Sequence, residues 1–464
     1  MNLQQEIRAR QGEIVKTLSE LIRIPSVRGE PTEGCPYGAH SAEALRWVLE
    51  LCVGMGFRTK NLGNRVGYAE FGEGEELVGI LIHLDVVPVG GVWERDPFSG
   101  DVADGRVYGR GAEDDKGPGV AALYCAKTLM DLGVEPKRRV RLIFGTNEET
   151  SMDDMDYYVE REGVPDYAFA PDGLYPIINC EKGMAKIAFA REGGSPGAVV
   201  AFEGGTAVNI VPESARAILD GSRIDAAAVA QAARSYQGAA ALEAETGADG
   251  RLTVTARGRA AHAAYAPDGV NAIGALALFL REQLKEQAGP LVSFLAACFG
   301  MQTDGAAARV RCEDEVSGPL TLNVGLAQAG ETGQSAHIDI RYPVSRTAQE
   351  LADTLAPLAA RWGFSTAVTH DMPPLLVPED SRIVRELSAV YEQVTGRPAF
   401  CRPRGVGTYC RKMAGRAVTF GAHLEDTPHT NYHEPNEFIE IENLMGHAEI
   451  CIEAIYRLAT MPAV

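Results

Sequence analysis

The sequence predicts an α/β protein carrying an inserted α+β domain, on three observations. From residue 1 to about 182, helical patterns alternate with short β-branched apolar runs, the signature of βα units on a largely parallel sheet. After Gly183 the texture changes to Ala-rich helical stretches between strands of alternating polarity, and 380–464 then resumes the helix, strand, helix order. A chain of 464 residues is also long for one core, and 45% apolar residues are enough to fill two.

In order, Leu3, Ile7, Ile14, Leu18 and Leu21 recur at helical spacing, so a helix is expected near 3–22, with further helices near 41–55 and 118–132. Buried strands are expected near 78–83, 139–145 and 167–170. In the inserted part, Ala-rich helices fall near 225–236, 271–285 and 347–361, between strands such as MAKIAFA, RLTVTARG and AHIDIRYP. AVNIVPESARAILDG, a helix and RLTVTARG are echoed by TLNVGLAQ, AHIDIRYP, a helix and FSTAVTH, which suggests an internal duplication. HDMPPLLVPED marks the return path, because consecutive prolines suit neither a helix nor a strand interior.

A formal charge of −19 excludes nucleic acid and anionic membrane as natural partners, since like charge repels phosphate. Nine cysteines without CxxC spacing read as thiols in a reducing cytoplasm, with no disulfide framework. The charged N-terminal helix is unlike a signal peptide, and no stretch is long and apolar enough to span a bilayer.

Five short segments end apolar runs or follow them closely: His83-Leu84-Asp85, Asp114 in GRGAEDDKGP, Glu148-Glu149 after RVRLIFGTN, Asp172 after YAFAP, and His433 in NYHEPNE. Each alone has an ordinary explanation, such as a half-buried histidine, an acidic turn, a Pro-Asp-Gly turn or a surface histidine. Together they place five acids and two histidines beyond strand ends, where open α/β sheets build their sites, and three of the acids with both histidines are of the kind that grip a pair of divalent metals. Paired acids at 148 and 149 repel each other unless a cation neutralises one, so one suits a metal and the other a base. His83 followed by Asp85 allows the acid to reach a ring nitrogen and fix the tautomer. Oxygen and imidazole ligands without thiolate suit Zn²⁺, Mn²⁺ or Co²⁺. The expected chemistry is two-metal hydrolysis.

Taken in order, HLDVVP, GRGAEDDKGP, TNEET, PDG and HEPNE resemble the M20 family of metallopeptidases, most of all its PepV-type dipeptidase branch, also called the Sapep family. IPSV, GRAAHAAYAPDGVNA and SGPLTLNVG extend the likeness over almost the whole chain. The resemblance implies a zinc-peptidase-like catalytic domain over 1–182 and 376–464, with a two-part, ferredoxin-like α+β lid over 183–375. It implies two divalent metal ions, Zn²⁺ before Mn²⁺ or Co²⁺, with Asp114 bridging them, His83 and Asp172 on one, and Glu149 and His433 on the other. Asp115 would follow Asp114 across a peptide bond often cis in that family. Asp85 would stand behind His83 as a supporting catalytic residue. Glu148 would be the general base, taking a proton from a metal-bridged water and passing it to the leaving amine.

From the lid, His262 would stabilise the oxyanion with Asn209 beside it, and Arg341 would grip the substrate's terminal carboxylate. Gly407 and Thr408 would lie near that carboxylate, although Val406 and Cys410 depart from the Gly- and Ala-rich composition of relatives, and Ala307-Ala308-Arg309-Val310 before SGPLT lacks the expected Leu-Gly-Ile type of run. The implied substrate is a dipeptide and the implied state a monomer, with a homodimer as the alternative. Two rival readings stay open: an N-acyl-amino-acid deacylase on the same scaffold, and a catalytically silent peptide-binding relative.

Overall fold

Strands form at Leu77–His83, Arg139–Gly145 and Tyr167–Ala170, where the sequence carries its short apolar runs. In the computed structural model, which describes residues 2–195 and 197–462, these strands are parallel neighbours with Leu77–His83 in the middle. Every residue of Leu77–His83 is buried, as expected for a strand covered on both faces. A fourth strand, Ala417–Thr419, extends the parallel set beside Tyr167–Ala170. The sheet is mixed rather than wholly parallel. Arg58–Leu62 and Val66–Phe71 add antiparallel strands beyond Arg139–Gly145, and Ile177–Glu181 joins antiparallel beside Ala417–Thr419.

Helices Lys116–Asp131 and Ile441–Thr460 pack on each other and on Leu77–His83. The expected helix over 3–22 is two, Leu3–Arg8 and Gln11–Ile22. Around the break, Arg8 reaches Glu442 and Glu449, and Arg10 reaches Asp131. Among the described residues no helix is long and apolar enough to cross a membrane.

The chain divides into two units: Met1–Cys180 with Leu376–Arg402 and Gly407–Val464, and Glu181–Leu375 with Pro403–Val406. The expected boundary 182/183 lies two residues from the division and 375/376 coincides with it, but residues 403–406 group with the second unit. Lys182 N–H donates to the Arg404 carbonyl at 2.9 Å, which ties that short segment to the second unit's first strand.

The second unit is built on one eight-stranded antiparallel sheet, in the order Ala241–Thr246, Leu252–Arg257, Ser214–Leu219, Val199–Gly204, Thr321–Ala329, Gly333–Tyr342, Gly183–Glu192 and Ser365–Met372. Outward from the central pair, Val199–Gly204 with Thr321–Ala329, both halves follow the same order. The helix Ala226–Arg234 after one second strand matches Ala348–Ala360 after the other. The duplication in the sequence is thus a two-fold repeat of elements. Its pairing differs in one respect: FSTAVTH corresponds to the edge strand Ala241–Thr246, while RLTVTARG corresponds to Gly183–Glu192.

Candidate metal centre

His83 closes the central strand at a topological reversal. The next strand of this sheet in sequence, Arg139–Gly145, lies on one side of it and Tyr167–Ala170 on the other. Such reversals open a crevice beyond the carboxyl ends of strands. His83 is level with Gly145, so Glu148 and Glu149 leave their strand just above it, and Asp172 follows Ala170 by two residues. The remaining loops arrive together, because Arg106–Tyr108 pairs with Phe438–Glu440 and Gly109 N–H donates to the Glu437 carbonyl at 2.9 Å.

Asp114 stands between two imidazoles. Its Oδ1 is 2.9 Å from His83 Nε2, its Oδ2 is 3.0 Å from His433 Nε2, and His433 Nε2 is also 3.0 Å from Glu149 Oε1. Ligand atoms of His83, Asp114 and Glu149 all lie within 4.8 Å of one another. A carboxylate that offers one oxygen to each of two imidazoles is arranged to bridge. Asp172 is half-buried, and its negative charge helps raise the carboxyls of Glu148 and Asp115. The Asp114–Asp115 peptide bond is cis.

Buried groups hold these ligands. His83 Nδ1 donates to the backbone carbonyl of Asp85 at 2.9 Å, while the Asp85 carboxylate is 3.7 Å away. The carbonyl therefore sets the tautomer, which corrects the expectation that the acid would. The carboxylate instead accepts the backbone N–H of Glu148 at 3.1 Å and of Glu149 at 3.2 Å, fixing the turn that carries both acids.

Two acids that the sequence reading did not single out have similar work. Glu437 Oε1 accepts the N–H groups of Gly111, Glu113 and Asp114, and its Oε2 pairs with Arg110 at 2.7 Å. Asp154 accepts the N–H of Thr146 at 2.7 Å and of Asn147 at 3.0 Å, and the Tyr409 hydroxyl. Glu437 lay inside the quoted HEPNE motif, so its signal was present; Asp154, inside a helix start, had none. Gly145 is required here, since a Cβ would sit 2.0 Å from the Tyr409 hydroxyl. His433 has φ of +64°, a conformation that costs a non-glycine residue about 1–2 kcal/mol.

The electrostatics call for cations. Burial raises the Glu148 and Asp115 carboxyls well above their usual range, with neighbouring acids adding to the effect. Glu148 Oε1 and Asp115 Oδ1 are buried with no hydrogen-bond partner. Burial pulls the His433 imidazole down, but Glu149 and Asp114 outweigh it and push it up to about 12. His83 is raised in the same sense by Asp114. Burial opposes ionisation of Asp114 too, yet its two histidine partners hold it well below the usual carboxylate range. Protons on the two imidazoles thus compensate the acids. Divalent ions would do so better, with a donor set of oxygen and imidazole nitrogen, so these residues fit the implied metals.

The other expected residues lie elsewhere. Thr408 is fully buried, and its hydroxyl accepts the Cys410 N–H at 3.2 Å and lies 3.2 Å from the Thr419 hydroxyl. Its side chain holds a turn. Gly407 is half-buried beside it.

His262, Asn209 and Arg341 belong to the second unit. His262 is half-buried, and its Nδ1 accepts the Ala264 N–H at 3.2 Å. A backbone N–H can only donate, so the ring proton of neutral His262 resides on Nε2. Arg341 is already engaged within the second unit. It is 4% exposed, and Asp339, two residues earlier on the same strand face, takes its fork at 2.7 and 3.1 Å. Nη1 donates to the Gly405 carbonyl at 3.0 Å and to Met184 Sδ. Four of its five N–H donors are already used, so it offers no open fork for a substrate carboxylate.

Comparison with known proteins agrees with this geometry. Residues 79–457 match the family described as Peptidase family M20/M25/M40. The chain is 36% identical to the dipeptidase-named YtjP of Bacillus subtilis (strain 168), over 99% of this chain and 100% of that one. It is 32% identical to the Beta-Ala-Xaa dipeptidase of Lactobacillus delbrueckii subsp. lactis, over 99% and 98%. Human carnosine dipeptidase 1 shares the fold, with a TM-score of 0.61 at 16% identity and 98% of each chain covered. Sequence and fold thus converge, and the chain is an enzyme that belongs to peptidase family M20/M25/M40.

Proposed function

We propose that the protein is a dinuclear metal dipeptidase, acting as a monomer on free dipeptides in the cytoplasm. The observation that carries this reading is Asp114 set between His83 and His433, with Glu149 on His433 and the buried Glu148 alongside. The relatives named as dipeptidases cover essentially the whole chain, which supports the substrate class. The internal repeat of the second unit supports the monomer, since one chain supplies both halves of the sheet.

His83, Asp114 and Asp172 would hold one cation, and Asp114, Glu149 and His433 the other, with Zn²⁺ the first candidate and Mn²⁺ or Co²⁺ the alternatives. Bound there, the cations would polarise the scissile carbonyl and make water acidic enough to attack at neutral pH. Glu148 has the buried oxygen to accept the attacking water's proton and return it to the leaving amine. Asp85 keeps Glu148 in place through two backbone amides. From the second unit, His262 Nε2–H and Asn209 are the proposed donors to the oxyanion. Arg341 is the proposed grip on the substrate carboxylate only if its pair with Asp339 opens, because Asp339 occupies its fork.

The test is a hydrolysis panel on apo-protein restored with Zn²⁺, Mn²⁺ or Co²⁺, setting free dipeptides, β-alanyl dipeptides included, against N-acetyl and N-succinyl amino acids. Turnover of free dipeptides in the metal-restored samples only is the expected result. A preference for the N-acyl substrates would replace this reading with a deacylase, and silence on both panels would leave a peptide-binding protein.

A further inference from the structure

The segment SGPLTLNVG supplies none of the residues proposed above, yet one of its side chains reaches the Asn209 loop. Asn323 is 2% exposed on the strand Thr321–Ala329. Its Nδ2 donates to the Val208 carbonyl at 3.1 Å and to the Ile210 carbonyl at 2.9 Å, the two groups that flank Asn209. Its Oδ1 accepts from Asn271 Nδ2 at 3.1 Å. Asn271 is itself anchored: it caps the helix Ala272–Leu284, accepting the Gly274 N–H at 3.0 Å, and it donates to the Val324 carbonyl at 2.9 Å.

The far side of the loop is stitched to His262. Ala263 N–H donates to the Asn209 carbonyl and Val211 N–H to the Ala261 carbonyl, both at 2.8 Å, around an antiparallel bridge between Ile210 and His262. The strand and the loop also meet without side chains between them. A Cβ on Gly325 would lie 2.1 Å from the Val208 carbonyl, so only glycine lets the backbones approach this closely. A rigid line therefore runs from a helix cap through Asn271 and Asn323 to both carbonyls around Asn209, and from Asn209 to His262.

We propose that Asn323 is a positioning residue for the reaction, whose two amide donors hold the Asn209 loop and, through the bridge, His262 in register. The inference deepens the proposed function and rests on its assignment of Asn209 and His262 to the oxyanion. The amide is suited to this because one NH₂ group satisfies two adjacent carbonyls, as a strand edge would, while its carbonyl oxygen takes the anchor. Aspartate at the same place keeps the acceptor and loses both donors. Misplacing an oxyanion donor lowers turnover more than binding, because the donor acts chiefly on the transition state.

The experiment uses the full, metal-restored chain and the best dipeptide of the panel. Asn323→Asp and Asn323→Ser are each made in the natural chain and in a His262→Ala background. Asn323 lines a cavity of about 200 Å³ with Asn271 and Thr303, so the smaller serine keeps the test available if the aspartate variant folds poorly. In the natural background kcat should fall roughly 10- to 100-fold with KM changed less than about threefold, and metal content and Tm should be retained. In the His262→Ala background the same changes should cost less than about threefold, because residues acting through one another are not additive. Equal losses in both backgrounds, or normal kcat in Asn323→Asp while His262→Ala is impaired, would overturn the positioning role alone. Normal kcat in His262→Ala would instead overturn the oxyanion assignment, and this inference with it.

Discussion

The buried carboxylates of the two units are treated in opposite ways. In the second unit, Asp339 is 2% exposed and meets the Arg341 guanidinium with both oxygens. In the first, Glu148 and Asp115 each keep a buried oxygen without a hydrogen-bond partner, among further acids. A matched buried pair is complete and needs nothing more from outside. A cluster of one sign with orphaned oxygens is incomplete, and it marks where cations and proton transfer belong. The same contrast recurs inside the first unit. Glu437, fully matched by Arg110 and three backbone amides, holds a loop, while Asp114 beside it faces two histidines.

The sharpest way to break this contrast is Glu148→Gln. Loss of the proton carrier should lower kcat by about 10²- to 10⁴-fold, with metal content and Tm unchanged. Steady-state kinetics beside metal analysis measures this, and full turnover in the variant would remove Glu148 from the mechanism. The next effect is on stability. Arg341→Met leaves Asp339 buried and uncompensated, which should cost about 3–5 kcal/mol in denaturant unfolding. Adding Asp339→Leu should recover much of that loss. A variant of normal stability with a raised KM would return Arg341 to the substrate.

The smallest expected effect is a pH slope at Asp154. Burial pushes its carboxyl from 3.8 up to about 7. A raised carboxyl favours the folded state below the unfolded value and loses that contribution as pH rises through the folded value. The stability cost of Asp154→Asn should therefore shrink as pH rises from about 4 to about 7. Tm measured across that range on metal-free protein checks the sign; a cost that grew with pH would contradict it.

Much of the candidate site was legible because its acids and histidine follow strands whose apolar runs are unambiguous. His83, Glu149 and Asp172 leave adjacent parallel strands at their carboxyl ends, and parallel packing brings such ends together. Asp114 and His433 were legible only by motif, since the short strands beside them, Arg106–Tyr108 and Phe438–Glu440, carry little periodic signal. The supporting groups were harder to see. Nothing in the spacing of Asp154 reveals that it accepts two backbone amides from the turn before Glu148. The Asp339–Arg341 pair was equally hidden, because an i, i+2 pair on one strand face forms a salt bridge as readily as it presents a clamp to a ligand. Nor did the sequence show that the Thr408 hydroxyl caps the backbone at Cys410.

By itself the sequence determined the class of protein: two units, an α/β sheet with acids and histidines at its strand ends, and an inserted Ala-rich α+β region. Those features follow from local periodicity and from residue chemistry that water and a hydrophobic core sort in the same way wherever they occur. Only the tertiary structure decided which polar groups meet. It gave Asp114 to two histidines, the Asp85 carboxylate to two backbone amides, Arg341 to Asp339, and Asn323 to the carbonyls around Asn209. Hydrogen bonds and ion pairs act over a few ångströms, and apart from Asp339 and Arg341 these partners lie tens to hundreds of positions apart along the chain.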